Sequence, residues 1–124
     1  MVADIETVNR IVRLYINDVK AKMPIDKVYL FGSYAKGNPH EWSDVDLCFF
    51  SKDFEGKRNR DVMSDLFYIK TKYDGELLLE PHAFPTSELD RGNPFVEEIL
   101  ETGREIPIEE NEPLSLVTGS NGTY

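Results

Sequence analysis

The residues that can do chemistry are gathered in one stretch, Leu30-Phe31-Gly32-Ser33-Tyr34-Ala35-Lys36-Gly37, followed by Ser43-Asp44-Val45-Asp46-Leu47. An apolar run, Val28 to Phe31, ends in Gly-Ser and a short segment able to turn into a helix, so backbone N–H groups can converge there on an anion. That is a start for phosphate binding. A second apolar run opens with two aspartates one residue apart. Strand side chains alternate between faces, so Asp44 and Asp46 point the same way. Two carboxylates on one face offer hard oxygen ligands suited to magnesium.

Two common phosphate loops are excluded. A Walker A loop needs Lys and then Ser or Thr after the second glycine, whereas Asn38-Pro39 follows Gly37 here. A dinucleotide fingerprint needs G-x-G-x-x-G, which is absent. What remains is Gly-Ser, a spacer, and Asp-x-Asp opening a strand.

The elements that must position these residues follow from periodicity. Apolar residues at Ile5, Val8, Ile11, Val12, Tyr15, Ile16 and Val19 have the spacing of an amphipathic helix over 4–22, stopped by Pro24. Residues 27–31 form a first strand with Gly32 and Ser33 as its exit, and 38–42 form a loop around Pro39. Residues 44–50 form a second strand, apolar on both faces and therefore central and covered. After a charged connector at 52–58, the spacing of Val62, Met63, Leu66 and Ile69 predicts a helix over 59–72. Asp74-Gly75 turns the chain into a third strand over 76–84, which Pro85 ends. Asn93-Pro94 reads as a cap with a first-turn proline, and Gly103 as the residue past the end of a helix over 94–102. Residues 104–106 add an edge strand. The class is α/β (α+β): a small mixed sheet covered by helices. The expected domain is 1–107, with 108–124 an acidic and then Gly, Ser and Asn-rich tail, loosely ordered.

Bulk properties narrow the function. A chain of 124 residues suits one domain. No apolar run approaches the roughly 18 residues that cross a membrane, and the polar N-terminus predicts no secretory leader. A lone cysteine, Cys48, cannot form an internal disulfide, which points to the cytoplasm. The net charge of −9 argues against a surface that neutralises a nucleic-acid backbone, and fits a basic partner or a nucleotide carried in with its metal.

Gly-Ser and Asp-x-Asp, in this order and each at the end of an apolar run, resemble the signature of the polymerase-β-like nucleotidyltransferase superfamily. The short chain is similar to its minimal (MNT) branch from about residue 1 to 107. The resemblance implies the polymerase-β-like palm fold and transfer of a nucleoside monophosphate, AMP from ATP, to a hydroxyl acceptor. It also implies two magnesium ions roughly 3.5–4 Å apart on Asp44, Asp46 and a third carboxylate. Glu80 is the candidate for the third ligand, with Glu76 on the same face by period-two counting. Gly32 and Ser33 are implied to hold the β- and γ-phosphates. Lys36 would add charge there, although relatives often carry arginine in this stretch. Many stand-alone members of the branch are antitoxins paired with a HEPN-family ribonuclease toxin, and some adenylylate a tyrosine of that partner. Two readings therefore stay open: an enzyme, or an antitoxin that captures its partner with little or no catalysis. Trp42 is read as loop packing, His82 and Cys48 as structural, and Glu109, Glu110 and Glu112 as a solvated acidic run.

Overall fold

The structure is a computed structural model that describes residues 4–39 and 44–108. The expected positions of His40, Trp42 and Ser43, and of the tail from Glu109 onward, lie outside the described residues.

Helix α1, Ile5–Lys22, starts where Asp4 accepts a hydrogen bond from the Thr7 N–H at 2.8 Å. It buries Val8, Ile11, Val12, Tyr15, Ile16 and Val19, the stripe its periodicity predicts. Strand β1, Lys27–Phe31, leads through Gly32 into the single turn α2, Ser33–Lys36. Strand β2, Val45–Ser51, α3, Asn59–Lys70, and β3, Leu79–Pro85, come next, and α4, Pro94–Thr102, and β4, Arg104–Ile106, complete the fold. Short 3-10 turns at Lys52–Phe54, Thr71–Tyr73 and Thr86–Asp90 join them.

The sheet order is β3-β2-β1-β4, with β2 and β3 parallel and β1 antiparallel to both β2 and β4. Strand β2 is central, as its apolar content on both faces requires. Val45, Leu47 and Phe49 face the main core with α1 and α3, while Cys48 and Phe50 face a smaller core under α4. Tyr15 ties the first layer together. Its ring meets Phe49 and Tyr73 edge-on at 5.7 and 6.1 Å, and its hydroxyl donates to Leu66 O at 2.9 Å. Burial pushes its phenol well above the usual range, so the hydroxyl stays a donor. At the open edge of the sheet, Pro81 and Pro85 of β3 have no N–H to offer a neighbour, and Asn59 Nδ2 occupies Ala83 O at 3.2 Å.

Two expectations need correction. The third strand begins at Leu79 rather than 76, because the N–H groups of Glu76 and Leu77 both close onto Tyr73 O at 2.9 and 3.0 Å and hold the chain in a turn. Helix α3 ends at Lys70, the next three residues forming a 3-10 turn. The cap at Asn93 forms as expected, its side chain accepting from the N–H groups of Phe95 and Val96 at 3.0 and 3.4 Å. Ile108 also packs on the main core, and its carbonyl accepts from Lys20 Nζ.

Gly103 follows α4, but not as a left-handed cap: its φ is −88° and its ψ −178°. A Cβ there would stand 2.5 Å from Ile99 O and 2.8 Å from Leu30 O, so a glycine is needed because two backbones meet. Gly103→Ala is therefore expected to lower stability by about 1–3 kcal/mol. Urea denaturation checks this as a lower midpoint at unchanged slope.

Candidate active site

Strand pairing sets the centre of the site. Asp46 of β2 lies opposite Phe31 of β1 on one side and Glu80 of β3 on the other. Asp44 stands two residues before Asp46, on the same face by alternation. This is the α4 face of the sheet, away from α1 and α3.

The carboxylates are crowded. Burial, first, and then the charges of Asp44 and Glu80 push the Asp46 carboxyl up to about 6. Asp46 is also set against the Gly-Ser turn: a Cβ on Gly32 would overlap Asp46 Oδ2 and come within 3.2 Å of Cγ. The φ of 78° and ψ of −157° at Gly32 are open essentially to glycine alone. The same residue thus turns the strand into α2 and leaves room for the carboxylate. In α2 the first intrahelical bond is Lys36 N–H to Gly32 O at 3.1 Å, so by helix geometry the N–H groups of Ser33, Tyr34 and Ala35 have no acceptor within the turn. Arg104 Nε donates to Ala35 O at 3.2 Å and fixes α2 against β4.

Of the two candidate glutamates, the fold brings Glu80 to Asp46. Glu76 lies in the turn before β3, exposed, with its carboxylate 3.0 Å from Arg10 Nη2. Glu80 is the second residue of β3, which puts it level with the start of β2. Lys36 lies on the same side as Gly32, both lining a small cleft against α4.

Among the described residues, no three His, Cys, Asp or Glu side chains are grouped so as to hold a metal ion. The donor set nevertheless fits magnesium. Its members are all carboxylates, their mutual repulsion shows in Asp46, and magnesium completes its shell with waters and substrate phosphates rather than a full protein cage.

The neighbouring side chains divide as the residue types suggest. His82, half-buried on the same face, packs its ring 5.3 Å from Phe31 and 5.5 Å from Phe95. Burial holds its imidazole below the usual range, with the Glu80 charge opposing. Cys48 is fully buried under α4, and burial pushes its thiol up and out of reactive range. The aromatic wall of Phe31 and Phe95 went unrecognised in the sequence. The available signal was the spacing of Phe95, Glu98, Ile99 and Thr102 at i, i+3, i+4 and i+7, which puts them on one face of α4.

A four-stranded mixed sheet with a Gly-Ser turn and an aspartate pair opening its central strand defines the nucleotidyltransferase class, with the polymerase-β-like fold. The Nucleotidyltransferase domain family matches residues 12–112. The chain belongs to that family and is a transferase. It is 31% identical over 111 aligned positions to the "Putative protein adenylyltransferase MJ1305" of Methanocaldococcus jannaschii, covering 83% of this chain and 73% of that protein. The crystal structure of a "putative nucleotidyltransferase from Sulfolobus solfataricus" superposes with a TM-score of 0.52 at 25% identity, over 66% of this chain and 70% of the other.

The raised pKa of Asp46 gives a signed prediction. A carboxyl whose folded pKa exceeds its unfolded value near 3.8 opposes folding increasingly as pH rises from about 4 to about 6, and by a constant amount above. Metal-free Asp46→Asn protein is expected to be more stable than wild type at about pH 8 by about 1–2 kcal/mol, allowing for the solvent that still reaches the group. The gain vanishes by about pH 4. Urea denaturation in a chelator at the two pH values checks it.

Proposed function

We propose that the protein is a magnesium-dependent nucleotidyltransferase of the minimal type that moves AMP from ATP to a hydroxyl acceptor. The observation that carries this is the row of Asp46 and Glu80 beside the Gly32–Ser33 turn, with Asp44 on the same face. Asp44, Asp46 and Glu80 would hold the metal. Bound there, magnesium supplies charge stabilisation to the attacking and departing oxygens of an in-line displacement.

The chain's own residues set up the rest. Gly32 and Ser33 hold the β- and γ-phosphates through backbone N–H groups and the serine hydroxyl, with Lys36 adding positive charge. This fixes pyrophosphate as the leaving group on the α2 side. The acceptor oxygen attacks the α-phosphorus from the opposite side, forming one O–P bond as the bond to pyrophosphate breaks. Glu80 takes the acceptor's proton, which its place opposite Asp46 at the start of β3 permits.

The description of the Methanocaldococcus jannaschii relative as a protein adenylyltransferase supports AMP as the transferred group and a protein as the acceptor. Resemblance to the minimal branch supports a tyrosine of a HEPN-family toxin, with this chain as antitoxin in the cytoplasm. The net charge of −9 suits a basic protein partner better than a nucleic acid. No helix among the described residues is long and apolar enough to cross a membrane.

Calorimetric titration of ATP with magnesium tests the reading. Wild type is expected to bind only with the metal, and the Asp44→Asn, Asp46→Asn double variant to lose that binding. Glu80→Gln is expected to lower the transfer rate at least about 100-fold. Equal binding of ATP by wild type and the double variant would refute the site.

A further inference from the structure

Beside the Gly32 turn, a cleft of about 190 Å³ is lined by Phe31, Gly32 and Lys36 and, from α4, by Phe95, Glu98 and Thr102. Resting on the nucleotidyltransferase reading above, we propose that this cleft receives the base of the nucleoside triphosphate, with Phe95 as its stacking surface and Glu98 as its polar contact.

Three observations choose the base over the other parts of the reaction. The first is stereochemical. An in-line displacement puts the acceptor opposite the leaving pyrophosphate, so with pyrophosphate on Gly32 and Ser33, a cleft that shares Gly32 and Lys36 is on the wrong side for the acceptor. The nucleoside, joined laterally to the α-phosphorus, can fold into it. The second is charge. Glu98 is an acceptor only; it repels phosphate and accepts from the N–H groups on a base edge. Thr102 Oγ1 already donates to Glu98 O at 2.8 Å, which leaves the Glu98 carboxylate as the reading group. The third is size and surface. The volume is below the several hundred cubic ångströms of a site for a whole drug-sized ligand and suits one flat group.

Phe95 is placed to serve that group. It stays 40% exposed although its ring is held by Phe31 at 5.7 Å, His82 at 5.5 Å and Phe84 at 5.9 Å. A large aromatic kept open to solvent but fixed from behind by three rings is a preformed stacking platform. His82 then has a stated use, as one of the rings behind Phe95, and it needs no change of protonation to perform it.

The test compares two probes, ATP and inorganic tripolyphosphate, each titrated with magnesium into three proteins. Wild type should bind both. Phe95→Ala removes the platform and should weaken ATP about tenfold while leaving tripolyphosphate unchanged. Because Phe95 also packs on the small core, Thr102→Trp serves as a second variant. It fills the cleft from an exposed position, and should weaken ATP at least as much with tripolyphosphate again unchanged. Unchanged ATP affinity in both folded variants would overturn the proposal, and so would a parallel loss of both probes. Wild-type protein that binds neither probe would instead overturn the nucleotidyl-transfer site on which the proposal rests.

Discussion

The site depends on a close approach between Gly32 and Asp46. A carboxylate half out of water, beside two others, is costly to hold. It is held because three strands fix its backbone and because Gly32, next to its cross-strand partner Phe31, has no Cβ. The same glycine, at a φ of 78°, releases β1 into α2, so the turn and the carboxylate are one packed unit. Neither can be moved without the other.

The sheet divides its two faces between different tasks. Against α1 and α3 it is closed and apolar, knit by the Tyr15 hydroxyl on Leu66 and by edge-to-face rings. Against α4 it is only partly covered. Cys48, Phe50, Val96 and Ile99 form a small core, and the row of Phe31, Asp46 and Glu80 lies beside it. The charge that would be expensive inside the first layer is placed where solvent and ligands still reach it.

Much of this was legible in the sequence where local chemistry decides. The stripe of α1, the two apolar faces of β2, the Asn93-Pro94 cap and the pairing of Gly-Ser with Asp-x-Asp each follow from residues close together in the chain. The start of β3 was not legible, because the Tyr73 carbonyl captures two N–H groups that a strand would have used, and no periodicity records this. For the same reason Glu76 and Glu80 looked alike by alternation. Only the parallel register of β3 on β2, and the tie of Glu76 to Arg10, separate them. Gly103 was placed correctly at the end of α4, but for a different cause, since its missing Cβ answers to Leu30 of a distant strand. Phe31 and Phe95, far apart in the chain, are joined edge-on only by the fold, where both line one cleft.

The partial cover by α4 bears on how such a protein can diverge. Most of the buried apolar side chains lie on the far side of the sheet, so the cleft-facing positions of α4 are largely decoupled from what keeps the chain folded. Drift at Glu98 or Thr102, both exposed, changes the shape and charge of the cleft at small expense to stability. The carboxylate row, with Asp46 packed against Gly32, has no such latitude. A lineage built on this plan can therefore explore new ligands through one nine-residue helix while its chemistry stays fixed.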